Sequence, residues 1–311
     1  MNLPIRFILF DHQGKGTPLL HALKGHALQF PDDPKYYSRL GFVLASHDVQ
    51  GNARRLQRIH DGGCKTFFLY PHTARPNIIN DIFPNASFTT AQFVSAEGHI
   101  EVLRRYGVTM PIHATGWYLC PLREFRSRPS VRKILFAPIH PRCAEIDQQV
   151  NFRTWEILYS LVQKGAIDLT VRYVNDLVAS GLEQVNDGRV KYVRGGLDLT
   201  YGEIDNADVV VGHQTYAWLA VARGVPTVMM DEEMPTHTSP RKGPSSFARN
   251  WKKYKDLIMY PLDILHTDDP MALMERAAGS DSSIMDWKKR MIGEAFDPAK
   301  FIEVIKGYIN A

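Results

Sequence analysis

The sequence predicts an α/β protein of two doubly wound Rossmann-like domains with an interdomain cleft, and three observations carry that expectation. Short apolar strands alternate with helix-length segments. The alternation runs twice along the chain. Between the two runs lies "LREFRSRPSVRK" (Leu122–Lys133), which is basic, contains a proline and has no apolar period, as a linker would. With 311 residues, 44% of them hydrophobic and 23% charged, the chain has enough apolar material for two cores. The first domain is expected over 1–128 and the second over 129–311.

The first run opens with "IRFILF", a Gly-rich turn "DHQGKG" and "TPLLHALKG". "GFVLAS" then precedes "HDVQGNARRLQRIHDGG", and "TFFLY" precedes "PHTARPNII". A short strand and a helix follow in "SFTTAQFVSAEGHIEVLRRYG", and "PIHATGWYLC" closes the half. The second run starts with "ILFAPIHPR", the helix "NFRTWEILYSLVQKG" and the strands "DLTVRYV" and "VKYVRGG". The final "DPAKFIEVIKGYINA" reads as an amphipathic helix opened by Asp297 and Pro298. It is counted with the second domain and is free to pack back on the first.

"NADVVVGHQTYAWLAVARGVPTVMMDEE" (206–233) is the most informative stretch. Asp208–Val211 is short and β-branched, as an interior parallel strand is. Thr215 to Arg223 reads as a helix with little solvated face. Gly224 suits the left-handed position that ends it, and Pro226 prevents its resumption. Thr227–Met230 is a second buried strand. The polar residues of this β-α-β unit fall at the carboxyl ends of its strands, where open α/β sheets bind ligands.

Several classes are excluded or disfavoured. No apolar run reaches membrane-spanning length, and "MNLPIRFILFDHQGKG" lacks a secretory pattern. Cys64, Cys120 and Cys143 are an odd, unpaired set, expected as reduced thiols of a cytoplasmic protein, and no zinc motif can be made from them. The turn "DHQGKG" is not a dinucleotide fingerprint, and no P-loop occurs. No Asp-x-Asp motif suggests a metal held by the protein. No cofactor or metal is expected to be obligatory, although a divalent cation can ride on a diphosphate. Residues 1–128 hold 15 Lys and Arg against 9 Asp and Glu, a balance of +6, and the remainder holds 22 against 24, a balance of −2. That asymmetry directs an anionic partner to the first half.

The sequence resembles the two-domain glycosyltransferases of the GT-B fold. The resemblance rests on "FTTAQFVSAEGHIEVLRRYGVTMPIHATGWY", "VRKILFAPIHPR" and "VRGGLDLTYGEIDNADVVVGHQTYAWLAVARGVPTVMMDE", in that order. It implies a nucleotide-sugar donor on the second domain and an acceptor on the first. Tyr216, Ala217 and Trp218 stand where the family carries a glutamate on its donor-side helix, and Glu232 or Glu233 is the replacement candidate. "FFLYPHTARPN" resembles the position at which phage DNA β-glucosyltransferases place a catalytic aspartate, with His72 here in its stead.

The residues themselves lead to a compatible site. A nucleoside diphosphate sugar carries a pyrophosphate, and the amino end of a helix offers unpaired N–H groups and a positive dipole end. His213, Gln214 and Thr215 occupy that end. "PIHPR" supplies His140 and Arg142, the latter suited to bidentate phosphate contact. In "VRGG", Arg194 and Gly195 end a strand where backbone can approach a flat base. Transfer to a hydroxyl also needs a general base at a strand end of the first domain. His72 ranks first, followed by Asp48 and Asp11, with His12 and His47 as neighbours. His12, Lys15 and Arg75, on the segments after "IRFILF" and "TFFLY", are the acceptor-side candidates.

Three functions remain open. The first is sugar transfer to an anionic acceptor, for which a modified base in double-stranded DNA and a phosphate-bearing glycan or lipid precursor both qualify. The second is epimerisation of a sugar nucleotide without hydrolysis. The third is a nucleotide-sugar-binding module without turnover. The oligomeric state has no signature in the sequence.

Overall fold

The computed structural model describes residues 6–10, 27–29, 42–45, 57–58, 60–61, 65–69, 89–139, 144–173, 177, 180–195, 197–230, 238–239, 243–244 and 255–309. The chain divides into two compact units, Met1–Pro121 with Lys289–Ala311, and Leu122–Lys288. Each unit holds a parallel sheet, the α/β class expected from the alternating pattern.

In the first unit, β1 (Arg6–Phe10), β2 (Ala27–Gln29), β3 (Phe42–Ala45), β4 (Lys65–Leu69), β5 (Ala91–Val94) and β6 (Ile112–Ala114) pair in the order β2-β1-β3-β4-β5-β6. Every pairing among them is parallel. Helix α1 (Glu97–Tyr106) joins β5 to β6 and stops at Gly107. There φ is +100°, and the Gly107 N–H reaches the carbonyls of Leu103 and Arg104, a left-handed helix stop.

In the second unit, β7 (Lys133–Ala137), α2 (Ala144–Gln163), β8 (Asp168–Tyr173), β9 (Val190–Arg194), α3 (Leu197–Asn206), β10 (Val209–Gly212), α4 (Gln214–Ala222) and β11 (Thr227–Met229) follow in sequence. The strands pair in parallel in the order β11-β10-β7-β8-β9. Two chain-successive strands therefore lie on each side of β7, and the connection reverses direction between β7 and β10. Helices α5 (Pro270–Ala278) and α6 (Ser282–Met291) lie further along the chain, and the division between units falls within α6.

From Ala217 to Ala222 helix α4 is apolar on every face and nearly inaccessible. Trp218 meets Trp287 edge-on at 4.8 Å between centroids. Gly224 has φ +71°, and an added Cβ would stand 1.9 Å from the Glu124 carbonyl oxygen. Glycine is required here for both conformation and space.

That contact corrects the expected linker. Residues 122–128 are docked on the second unit, with Arg123 N–H bonded to the Ala222 carbonyl at 3.0 Å, Arg126 N–H to Gly224 at 2.9 Å and Arg128 N–H to Ala278 at 3.0 Å. The Arg128 guanidinium reaches the carbonyls of Asp205 and Ala207, each at 3.2 Å, and Arg123 pairs with Asp205 at 3.1 Å. Helix carboxyl ends leave unpaired carbonyls and a negative dipole end, and this basic run supplies the donors. The division thus falls at Pro121/Leu122 rather than at 128/129.

The chain's end, counted within 129–311, packs back on the first unit, as the sequence reading left open. Helix α7 (Pro298–Ile309) belongs to the first unit, where Phe301 and Ile305 join Phe67, Ala91, Phe93 and Tyr118 in one buried cluster. Phe301 meets Phe93 edge-on at 4.7 Å, and His113 Nε2 lies 2.8 Å from the Tyr308 hydroxyl. With these boundaries the first unit holds 16 basic and 11 acidic residues, a balance of +5, and the second holds 21 and 22, a balance of −1.

Candidate functional site

The reversal between β7 and β10 places Ala137 opposite Gly212 at the carboxyl end of the second sheet. A doubly wound sheet opens at that point because its flanking connections leave in opposite directions. Helix α4 begins there, with His213 as its extended N-cap residue (φ −129°, ψ 146°).

The His213 side chain makes no cap bond. Its Nδ1 lies 3.0 Å from the Met230 carbonyl oxygen, and the ring is 7% exposed. A carbonyl only accepts, so this bond requires the proton on Nδ1. Met230 N–H in turn donates to the Gly212 carbonyl at 3.1 Å. His213 therefore ties the end of β10 to the end of β11 and holds the first turn of α4 in place. Gln214 and Thr215 open the helix as backbone, and their side chains lie outside the described residues.

The exit of β7 is clamped from α2. Asn151, fully buried, accepts the Ile139 N–H at 2.7 Å and donates to the carbonyls of Ile139 at 3.1 Å and Ser180 at 3.0 Å. The chain continues from Ile139 into His140 and Arg142, which lie outside the described residues, as do Glu232 and Glu233.

The exit of β9 is held by a residue that the sequence pattern did not single out. Arg172, 5% exposed near the end of β8, donates from Nη2 to the Gly195 carbonyl at 3.0 Å. Gly195 N–H faces the Tyr173 carbonyl at 3.4 Å, and Arg194 ends β9 with its side chain exposed. The Arg172 guanidinium also stands over the Tyr216 ring, 4.7 Å from its centroid, and its Nε is 3.9 Å from Glu203 Oε2. Burial pushes the Tyr216 phenol well above its ordinary value, so it stays protonated, while Arg172 acts in the opposite sense and Glu203 in the same one. Burial likewise raises the Glu203 carboxyl, opposed by Arg172 and Lys191.

In the first sheet the corresponding reversal lies between β1 and β3. Phe10 pairs with Ala45, and Ala45 with Phe68, so the carboxyl ends of β1, β3 and β4 are neighbours. Asp11, His12, Lys15, Asp48, His72 and Arg75 come after these strands in sequence and lie outside the described residues.

A cavity of about 500 Å³ lies at the opposite, amino end of the second sheet, lined in part by Lys133, Asp168, Thr170, Lys191, Glu203 and Asn206. It is not at the strand ends to which the donor was assigned. Among the described residues, no group of three His, Cys, Asp or Glu is placed to hold a metal ion, and no helix is long and apolar enough to cross a membrane. Cys120 is a buried thiol in no disulfide, and its Sγ accepts from Trp117 Nε1 at 3.3 Å.

No protein-family model matches the chain, and no curated protein matches it in sequence. Solved structures do match in fold. The UDP-bound MnaA of S. aureus is 9% identical, with a TM-score of 0.59 over 99% of this chain and 97% of that one. The UDP-GlcNAc 2-epimerase of Methanocaldococcus jannaschii is 9% identical, with a TM-score of 0.57 over 98% and 100%. Arabidopsis thaliana UGT89C1 is 12% identical, with a TM-score of 0.51 over 98% and 92%. The chain spans 55% of the length of TarM and 59% of the pneumococcal O-GlcNAc transferase GtfA, which it also matches. The chain has the GT-B type of fold, with two Rossmann-like parallel sheets.

Proposed function

We propose that this chain binds a nucleoside diphosphate sugar on its second unit and transfers the sugar to a hydroxyl of an anionic acceptor. The observation that carries the reading is the strand reversal at Ala137 and Gly212, which opens onto the amino end of α4. The UDP in the matched MnaA structure and the UDP-sugar named for the matched epimerase support a uridine diphosphate donor. The +5 balance of the first unit supports an anionic acceptor there, with modified double-stranded DNA as the narrowest version.

In this reading Arg142, His140 and the first turn of α4 take the diphosphate, Gly195 and Arg194 face the base, and Glu232 or Glu233 faces the ribose. The acceptor oxygen attacks the anomeric carbon, and the bond from that carbon to the diphosphate oxygen breaks, its electron pair leaving with the diphosphate. The hydroxyl proton passes to a base, His72 in the first instance and Asp48 or Asp11 otherwise. His12, Lys15 and Arg75 hold the acceptor. No metal is assigned a step.

Epimerisation is the second reading, favoured by the near-complete mutual coverage of the match to the UDP-GlcNAc 2-epimerase. Incubation with UDP-sugars, with and without DNA carrying hydroxymethylated bases, separates the two. Acceptor-dependent release of UDP supports transfer, and a changed sugar without release supports epimerisation. Tight binding with neither outcome leaves a binding module. If His72 is the base, His72→Ala lowers turnover about 10²–10⁴-fold with donor affinity nearly unchanged. The low-pH limb of the rate profile, present in the parent, is then absent from the variant. A full rate in His72→Ala transfers the assignment to Asp48.

A further inference from the structure

We infer that Arg172 is a positioning residue that sets the spacing between the two walls of the donor site, resting on the donor reading above. One wall is the exit of β9 at Gly195, and the other is the first turn of α4. These segments come from different connections of the sheet, and no stretch of backbone ladder joins them. Arg172 touches both. Its Nη2 holds the Gly195 carbonyl at 3.0 Å, and the plane of the same guanidinium faces Tyr216, the third residue of α4, at 4.7 Å.

The chemistry requires arginine. A planar guanidinium can donate along its edge while offering its face to an aromatic ring, whereas an ammonium has no face to stack. Burying a cation is costly unless its surroundings compensate it, and Glu203 supplies the opposite charge at 3.9 Å from Nε. Tyr216 takes part through its ring rather than its hydroxyl. That hydroxyl is buried and makes no hydrogen bond among the described residues. A residue with this role matters most to a ligand that touches both walls at once. A nucleoside diphosphate does so, whereas a nucleoside or a pyrophosphate alone meets one wall.

The test is calorimetry of UDP, uridine and inorganic pyrophosphate on the full chain, alongside melting temperature, for the parent and for Arg172→Met, Arg172→Lys, Tyr216→Phe and Tyr216→Leu. The expected result is a tenfold or greater loss of UDP affinity in Arg172→Met, with uridine and pyrophosphate each changing less than threefold. Arg172→Lys does not restore UDP binding. Tyr216→Phe stays within twofold of the parent, and Tyr216→Leu shares the UDP-selective loss. If Arg172→Met fails to fold, Tyr216→Leu decides the question by the same three ligands. Unchanged UDP affinity overturns the proposal, as does an equal loss for all three ligands that tracks the melting temperature. A parent protein that binds no UDP overturns the donor reading, and the proposal with it. Loss in the variants alone leaves the donor reading standing.

Discussion

The two units share an architecture, and contacts of two kinds among the described residues can be set side by side. In the first, the last helix of the chain covers the sheet with aromatic rings: Phe301 on Phe93, and Tyr308 on Phe67 and His113. In the second, buried polar side chains bind the loops at one end of the sheet. Asn151 holds Ile139 and Ser180, Arg172 holds Gly195, and His213 holds Met230. Apolar packing tolerates small shifts, whereas a buried hydrogen bond has one geometry and a large cost when broken. Among the described residues, these bonds fix the loop ends of the second unit at Ile139, Gly195 and Met230.

The comparison breaks most readily at Gly224. Gly224→Ala forces a left-handed backbone onto alanine and drives Cβ into the Glu124 carbonyl, at an expected cost of about 3 kcal/mol or more. Four of the five tryptophans lie within 122–288, so urea unfolding followed by tryptophan fluorescence reports mainly on the second unit. A midpoint equal to the parent's would mean that residues 122–128 can detach from α4 without loss.

A smaller change sharpens the role of the polar clamps. Asn151→Ala leaves the Ile139 N–H and two carbonyls without their partner, for an expected loss of about 2–3 kcal/mol in the same assay. Leu135→Val, an apolar change in the same unit, provides the contrast at about 1 kcal/mol. If the two variants lose equal stability, the distinction between polar clamp and apolar packing fails.

Acid separates the units by window. His99 in the first unit is buried against Ser95, and burial lowers its pKa to about 3. The folded state keeps this ring neutral while the unfolded chain binds a proton below about 6.5, so stability falls as pH drops from 6.5 towards 3. The loss is about 1 kcal/mol between pH 6.5 and 5.5. In the second unit the bond from Arg223 holds Asp205 below the usual carboxylate range. Its contribution is complete above pH 3.8 and is lost only as pH falls through the lower folded value. Unfolding free energies at pH 7, 6 and 5 should therefore decline in the parent and stay flatter in His99→Gln. A slope unaffected by that substitution removes His99 as its source.

Much of the fold was legible because its signals are local. The run Val209–Val211 could only be an interior strand, the apolar stretch after it a buried helix, and Gly224 its stop, since each follows from residue shape within a few positions. Asn151 and Arg172 were not legible. Asn151 sits two turns into a helix that also carries exposed residues, and Arg172 alternates with apolar residues as any strand-face side chain does. Only the buried carbonyls that they reach distinguish them from surface residues.

By itself, then, the sequence determined two parallel α/β units and the glycine that ends α4. Period, β-branching and allowed backbone angles act over one or two turns and need no distant partner. The tertiary structure alone decided that Leu122–Arg128 docks on the second unit, that Lys289–Ala311 belongs to the first, and that Arg172 joins Gly195 to Tyr216. An amphipathic face or an arginine states that it needs a partner without saying which. The choice is made by whichever apolar surface or unpaired carbonyl the folded chain leaves within reach.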